Sequence, residues 1–279
     1  MTQITASQVK ELRTITNVGM MECKKALQET AGDIEAAIKL LRERGLAVAA
    51  KKADRAANEG LIDIAISDNA QTGAMVEVNC ETDFVAKNEN FQAFVAELAQ
   101  KALSLGDNEL ANAEKENLAF KVSEIGENLV INRNVTYKVQ GAGAIGKYIH
   151  LGGKVGVMVE IGCENAANSG SAELVELGKE VALHIAAASP AALVRTELDP
   201  ELVKSEQALY AKQVEGKPAN IIEKILEGKM GKFYSQVVLV EQGFVKDPDI
   251  TVQNLVEQTG KKIGDTLSIR RYARYQIGN

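Results

Sequence analysis

The chain of 279 residues predicts an α+β protein, and three observations lead there. Residues 1–45 carry apolar side chains three and four positions apart, as amphipathic helices do. From Gly60 onward, short runs alternate apolar and polar residues in the manner of half-buried strands, and helical stripes follow them. One such unit occurs twice: Gly73-Ala74-Met75-Val76-Glu77-Val78-Asn79-Cys80-Glu81 reads closely as Gly156-Val157-Met158-Val159-Glu160-Ile161-Gly162-Cys163-Glu164, a constant 83 positions further on. A repeated unit implies a repeated fold. The expected architecture is a three-helix N-terminal module, then a core of two repeated antiparallel sheet-plus-helix subdomains with an inserted helical hairpin.

Residues 1–55 hold the module and a linker helix. Thr5, with Gln8 three positions on, has the form of a capping box, and Val9 and Leu12 begin the first stripe. Cys23, Ala26 and Leu27 form the second. Ile34, Ala37, Ile38 and Leu41 form the third, with Asp33 as its cap and Gly45 as its stop. The alanine-rich, basic stretch 46–58 reads as a helical linker. Its Lys51 and Lys52 lie on a solvated face or reach an acidic partner.

Residues 56–140 form the first subdomain. Strands are expected at 61–66 and around Met75, then a loop, then a helix through Phe91, Phe94, Val95, Leu98 and Ala102. A more polar helix at 109–124 leads through Ile125-Gly126-Glu127-Asn128 into a strand at 129–139. Gly141 to Gly146 matches G-x-G-x-x-G, but a phosphate site needs a strand before that motif and a helix opening on it. Strand-like runs at 147–151 and 154–159 follow instead, so a glycine-rich turn between the repeats is expected.

Residues 141–195 and 229–279 form the second subdomain, in which Leu174, Leu177 and Val181 stand opposite Phe91, Phe94 and Leu98. A strand at 235–240, a helix at 251–258 and a last strand at 267–277 carrying Arg270, Arg271 and Arg274 complete it. Residues 196–228 interrupt it. Asp199-Pro200 makes a cap and first turn; Leu202, Leu209 and Tyr210 mark one helix, Gly216-Lys217-Pro218 a turn, and Ile221, Ile222, Ile225 and Leu226 the returning helix. Such a hairpin either projects or packs on its own core.

Composition narrows the function. Hydrophobic residues make up 46% and charged ones 25%, as in ordinary globular chains. A net charge of -6 argues against nucleic-acid binding, which draws on lysine and arginine to neutralise phosphates, and favours a protein partner. With no apolar targeting segment and no run of membrane-spanning length, the expected location is cytoplasmic. Cys23, Cys80 and Cys163 are widely spaced and unpaired in pattern, so neither a disulfide framework nor a zinc site is expected. They read as small buried hydrophobes. No cofactor is expected.

The stretch from Cys80 to Asn90 is polar except for Phe84, Val85 and Ala86. Phe84 either folds back as a lid on its own strand and helix or stands outside the core. At the positions of Thr82-Asp83-Phe84-Val85 the second copy has Asn165-Ala166-Ala167-Asn168, so the fold does not need the ring. Phe84 is therefore expected to be exposed and functional.

Residues 77–87, centred on Thr82-Asp83-Phe84-Val85, resemble a signature of the bacterial elongation factor Ts family. Residues 12–27, from Leu12-Arg13-Thr14 through Gly19-Met20-Met21 to Lys24-Lys25-Ala26-Leu27, resemble a second. The resemblance implies a guanine-nucleotide exchange factor that binds elongation factor Tu in its GDP-bound and nucleotide-free forms. It implies that Asp83 and Phe84 insert near the partner's magnesium site, with Thr82 and Val85 shaping the turn. It points to Met20, Met21, Lys24, Lys52, Ile125, Gly126 and His150 as partner-binding positions; Met20 and Met21 are equally read as packing of their turn. The N-terminal pattern resembles the ubiquitin-associated (UBA) fold, which that family shares, and the inserted hairpin is expected to join two copies. Relatives commonly continue past the equivalent of Gly278 into a short helix that touches the partner.

Bond chemistry has thin materials here. Catalysis would need a nucleophile, a base and an orienting group, or ligands for a metal. His150 and His184 are the only histidines, and His184 lies in an apolar helix where a structural role is expected. A hydrolase built on Cys80, His150 and Asp83 is one alternative; a GTPase-binding or chaperone-like module without exchange activity is another. The expectation is that the protein is not an enzyme.

Overall fold

A computed structural model describes residues 4–16, 18–214 and 219–278. Three helices open the chain: α1 (Ala6–Thr16), α2 (Met20–Glu29) and α3 (Ile34–Lys52). The backbone amide of Thr5 donates to Gln8 Oε1 at 3.0 Å and that of Gln8 to Thr5 Oγ1 at 3.3 Å, so the expected reciprocal cap forms. Asp33 caps α3 by accepting from the Ala36 amide at 3.0 Å. Val9, Leu12, Val18, Cys23, Ala26, Leu27, Ala37 and Leu41 close a core of their own.

Gly45 does not end the third helix. It is buried in the middle of α3, where an added Cβ would stand 3.4 Å from the backbone of Ala119 and Phe120. The glycine allows a helix crossing, and the alanines beyond it, good helix formers, carry α3 on to Lys52 through most of the presumed linker.

The next elements are β1 (Glu59–Ile66), β2 (Thr72–Cys80), α4 (Asp83–Ala86), α5 (Glu89–Ala102), α6 (Leu110–Ala113), α7 (Lys115–Ile125) and β3 (Val130–Lys138). The strands form an antiparallel sheet in the order β1-β2-β3, covered on one face by α5. Then come β4 (Gly143–His150), β5 (Val155–Cys163), α8 (Ala172–Ala188), α9 (Pro200–Gln213), α10 (Ala219–Val237), β6 (Gly243–Phe244), β7 (Asp247–Thr251), α11 (Val252–Ile263) and β8 (Leu267–Gln276). A second antiparallel sheet has the order β4-β5-β8, covered by α8, and β6-β7 is a small ribbon. The glycines of 141–146 fall in a turn and in β4; at Gly146 an added Cβ would lie 2.3 Å from the backbone of Gly178, so strand and α8 touch there.

The remaining faces of the two sheets meet around Ile62, Ile64, Met75, Tyr137, Ile145 and Met158. Their contacts are reciprocal. An added Cβ on Gly73 would meet Met158 Sδ at 2.8 Å and Ile145 at 2.9 Å, and one on Gly156 would meet Ile62 at 2.4 Å and Met75 Sδ at 3.2 Å. Arg133 of β3 stacks 4.1 Å over Tyr275 of β8, while Arg271 of β8 stacks 4.0 Å over Tyr137 of β3. Buried Glu77 binds Arg133 and buried Glu160 binds Arg271, each beside a register shift in its strand.

The expected strand at 235–240 is corrected. Met230, Phe233 and Val237 keep the helical spacing against Ala192, Leu198 and Val238, so α10 runs on to Val237. Val238 then makes an isolated bridge to Ala192. A short apolar run such as 237–240 fits either period, and here the helix already under way decides it. The turn expected at Gly216-Lys217-Pro218 lies outside the described residues. Among the described residues, no helix is long and apolar enough to cross a membrane.

Candidate functional site

Phe84 is 81% exposed, the most exposed large hydrophobic side chain among the described residues. The expected loop around it is instead a single helical turn, α4. Thr82 caps that turn, its hydroxyl accepting from the Val85 amide at 3.3 Å, and Lys87 pairs with Asp83 one turn back at 2.6 Å. Helical spacing then sorts the motif. Ala86 is buried and Val85 half-buried against the α5 core, while Asp83 and Phe84 face outward.

The turn is clamped from the segment after α7. The Glu127 carboxylate accepts from the amides of Glu81 and Thr82, both at 3.0 Å, and from the Thr82 hydroxyl at 2.6 Å. In return the Glu81 carboxylate accepts from the Asn128 amide at 2.6 Å and from Arg55 at 3.4 Å. Gly126 ends α7 in the left-handed region at φ 88°, which suits glycine, and its carbonyl accepts from Lys52. The structure thus gathers Thr82, Asp83, Phe84, Val85, Lys52, Ile125 and Gly126 into one patch. Glu81, Glu127, Asn128 and Arg55, which tie it together, were missed. Their bonds join residues far apart in the chain, and no spacing rule marks them.

His150 is exposed at the end of β4 and stacks on Tyr148, ring centroids 5.9 Å apart. The turn after it reaches the edge of the same patch: Lys154 pairs with Glu59, which opens β1 opposite Cys80. Leu151, expected to end the strand at 147–151, lies instead in that turn and is 69% exposed. Met20, Met21 and Lys24 lie elsewhere. They are exposed on α2, along a groove shared with α1 whose wall includes Ile4 and Val9 and whose rim carries Lys10 and Arg13.

The electrostatics favour a fixed anion beside the ring. The Lys87 hydrogen bond holds the Asp83 carboxyl below its ordinary range, with Lys154 adding to the effect, and Asp83 raises Lys87 in turn. Asp83 therefore stays ionised at neutral pH.

Cys80 is the opposite case. Burial, helped by the charge of Glu127, pushes its thiol up to about 12, and its Sγ donates to the Thr82 carbonyl at 3.2 Å. A neutral, buried thiol is a poor nucleophile. In the folded protein Cys80 is therefore expected to resist iodoacetamide near pH 8 while the urea-unfolded chain is alkylated. Mass spectrometry reads this, and modification of Cys80 at equal rates in the two states would refute it.

His184 is buried with its Nε2 donating to Gln242 Oε1 at 2.9 Å and its Nδ1 accepting from the Val245 amide at 3.1 Å. Gln242 is oriented by its own bond to the Gln236 carbonyl at 2.7 Å. Burial holds the imidazole below its ordinary value against the opposing effect of Gln242, so the neutral form is the folded one. The unfolded chain binds the extra proton first, so this stabilisation is complete above about pH 6.5 and is lost as pH falls below it. Thermal midpoints are expected to drop between pH 7 and pH 5, and less steeply in His184→Gln; equal slopes would contradict the assignment.

Comparison with known proteins adds relatives across the chain. A family model described as "Elongation factor TS" matches residues 81–279. A protein named Elongation factor Ts from Nitratidesulfovibrio vulgaris (strain DP4) is 42% identical over 277 residues, covering 99% of this chain and 96% of its own. Its namesake from Clostridioides difficile (strain 630) is 44% identical over 290 residues, covering 100% of this chain and 94% of its own. That of Trichlorobacter lovleyi is 43% identical over 289 residues, covering 99% and 93%.

Proposed function

Because this chain belongs to the elongation factor Ts family, and so to the translation elongation factors, we propose that it is a guanine-nucleotide exchange factor for elongation factor Tu. It binds the GDP-bound partner, displaces magnesium and promotes GDP release so that GTP can enter. The observation that carries this reading is Phe84, a ring left 81% exposed on a turn whose counterpart in the second copy has alanine. No bond need be made or broken, so the protein is not an enzyme. A protein that binds the nucleotide-free partner more tightly than the nucleotide-bound one must weaken the nucleotide by the same factor.

Burying the ring on the partner would yield roughly 1.5–3 kcal/mol to offset lost nucleotide contacts. Asp83, ionised and next to it, competes for the magnesium–phosphate network once Lys87 gives way. Thr82 and Val85 hold the turn, and Lys52, Ile125, Gly126 and His150 dock around it. The three N-terminal helices we read as a UBA-like module that docks on the partner's nucleotide-binding domain through Met20, Met21 and Lys24. The α9–α10 hairpin, with Leu202, Leu209 and Ile221 exposed, is read as the contact between two copies. The place of action is the cytoplasm.

The test is release of a fluorescent GDP analogue from purified elongation factor Tu. Acceleration by catalytic amounts of this protein is the expected result. Binding without acceleration would leave a docking or chaperone-like module instead.

A further inference from the structure

We infer that Glu127 positions Phe84 for the exchange reaction, acting through the backbone of residues 81–82. The inference rests on the exchange reading above. An exposed ring is not held by packing of its own, so α4 sets its direction. That element has four residues, far below the roughly 12–15 at which an isolated helix is even marginal in water. Its direction must come from what grips its ends. Its last residue, Ala86, is buried, and two positions beyond it Asn88 caps α5 by accepting from the Asn90 amide at 2.9 Å.

Before it, beside the Cys80 thiol on the Thr82 carbonyl and the Asn128 amide on the Glu81 carboxylate, the Glu127 carboxylate alone holds the amides of residues 81 and 82 and the Thr82 hydroxyl. The three bonds Glu127 accepts from Glu81 and Thr82 are charge-assisted, the stronger kind. The Thr82 hydroxyl that it fixes is the oxygen that caps α4. Glu127 is itself held in place, by the left-handed Gly126 and its Lys52 bond on one side and by the Asn128–Glu81 bond on the other.

The second copy contains a built-in control. Asp265 follows the left-handed Gly264 as Glu127 follows Gly126, and its carboxylate accepts from the amides of Glu164 and Asn165, both at 3.1 Å. Glu164 and Asn165 stand at the repeat positions of Glu81 and Thr82. The same clamp therefore closes both turns, and only one of them presents a ring. Opening it at Asp265 loosens a turn without an aromatic; opening it at Glu127 loosens Phe84.

Glu127→Ala and Asp265→Ala distinguish positioning from simple structure. GDP-analogue release is measured over a range of concentrations of each variant, with thermal melts and amide hydrogen exchange alongside. Glu127→Ala is expected to lower the saturating rate about tenfold or more, because a misplaced ring no longer meets the site it must enter, with the half-saturating concentration changed less than about threefold, because the rest of the patch and the α1–α2 groove still dock. Asp265→Ala is expected to stay within about twofold of the intact protein in both parameters, whatever it loses in melting temperature. A Glu127→Ala saturating rate within twofold of the intact one, or an equal loss in Asp265→Ala, overturns the inference. Hydrogen exchange reads the clamp without nucleotide release: amides 81–87 should exchange about tenfold faster in Glu127→Ala than in the intact protein. Unchanged protection there overturns the inference, whereas an intact protein that fails to speed GDP release counts against the proposed function.

Discussion

Phe84→Ala is expected to slow stimulated GDP release by roughly tenfold to a hundredfold, the rate equivalent of losing the 1.5–3 kcal/mol of a buried ring. The size follows from where the ring stands. At 81% exposure it contributes almost nothing to the fold, so truncation leaves thermal stability within about 0.5 kcal/mol, as for other surface changes. Docking retains the rest of the patch and the separate α1–α2 groove, so affinity for elongation factor Tu should fall less than the saturating release rate. Stopped-flow release and a binding titration on the same variant separate the two. A variant that releases GDP as fast as the intact protein removes Phe84 from the mechanism. One that loses binding and rate in equal proportion makes the ring a docking anchor only.

Glu160→Ala should produce the largest loss of stability. Glu160 is fully buried in β5, accepts from the Gln140 amide at 2.8 Å, and is flanked by Arg270 at 3.2 Å and Arg271 at 2.7 Å. Removing one side of a buried ion pair costs roughly 3–5 kcal/mol because the partner charge is left uncompensated. Here the arginines are 27% and 35% exposed and can recover some hydration, which places the effect near the lower end. Urea unfolding is the measurement, and a loss under about 1 kcal/mol would show that the two arginines, not the carboxylate, hold this seam together.

Much of this was legible in the sequence because the signals are periodic or local. The 83-residue repeat made Glu160 the counterpart of Glu77 and set Phe84 against Ala167, which alone suggested that the ring is dispensable to the fold. The helix stripes and the Thr5 and Asp33 caps are short-range chemistry and appear where spacing places them. What stayed hidden is nonlocal or too short to have a period. A four-residue helix leaves no stripe, so α4 read as loop. Gly45 looks like a stop until α7 lies across it. The correspondence of Arg133 and Tyr137 with Arg271 and Tyr275 runs at 138 positions, not 83, because α9 and α10 lengthen the second copy between its helices. That change of offset concealed the pairing of Glu127 with Asp265, and with it the clamp on the Phe84 turn.

The order of strands in the second sheet bears on how the protein is made. β5 ends at Cys163, and its partner β8 begins only at Leu267. At a synthesis rate of about 5–20 residues per second, the ribosome needs roughly 5–20 s to produce the intervening chain. Throughout that interval β5, every residue of which is buried in the finished protein, has β4 on one side and an unpaired edge on the other. The nascent chain thus carries an open, apolar strand edge for seconds, the kind of surface that chaperones bind and that neighbouring nascent chains can pair with.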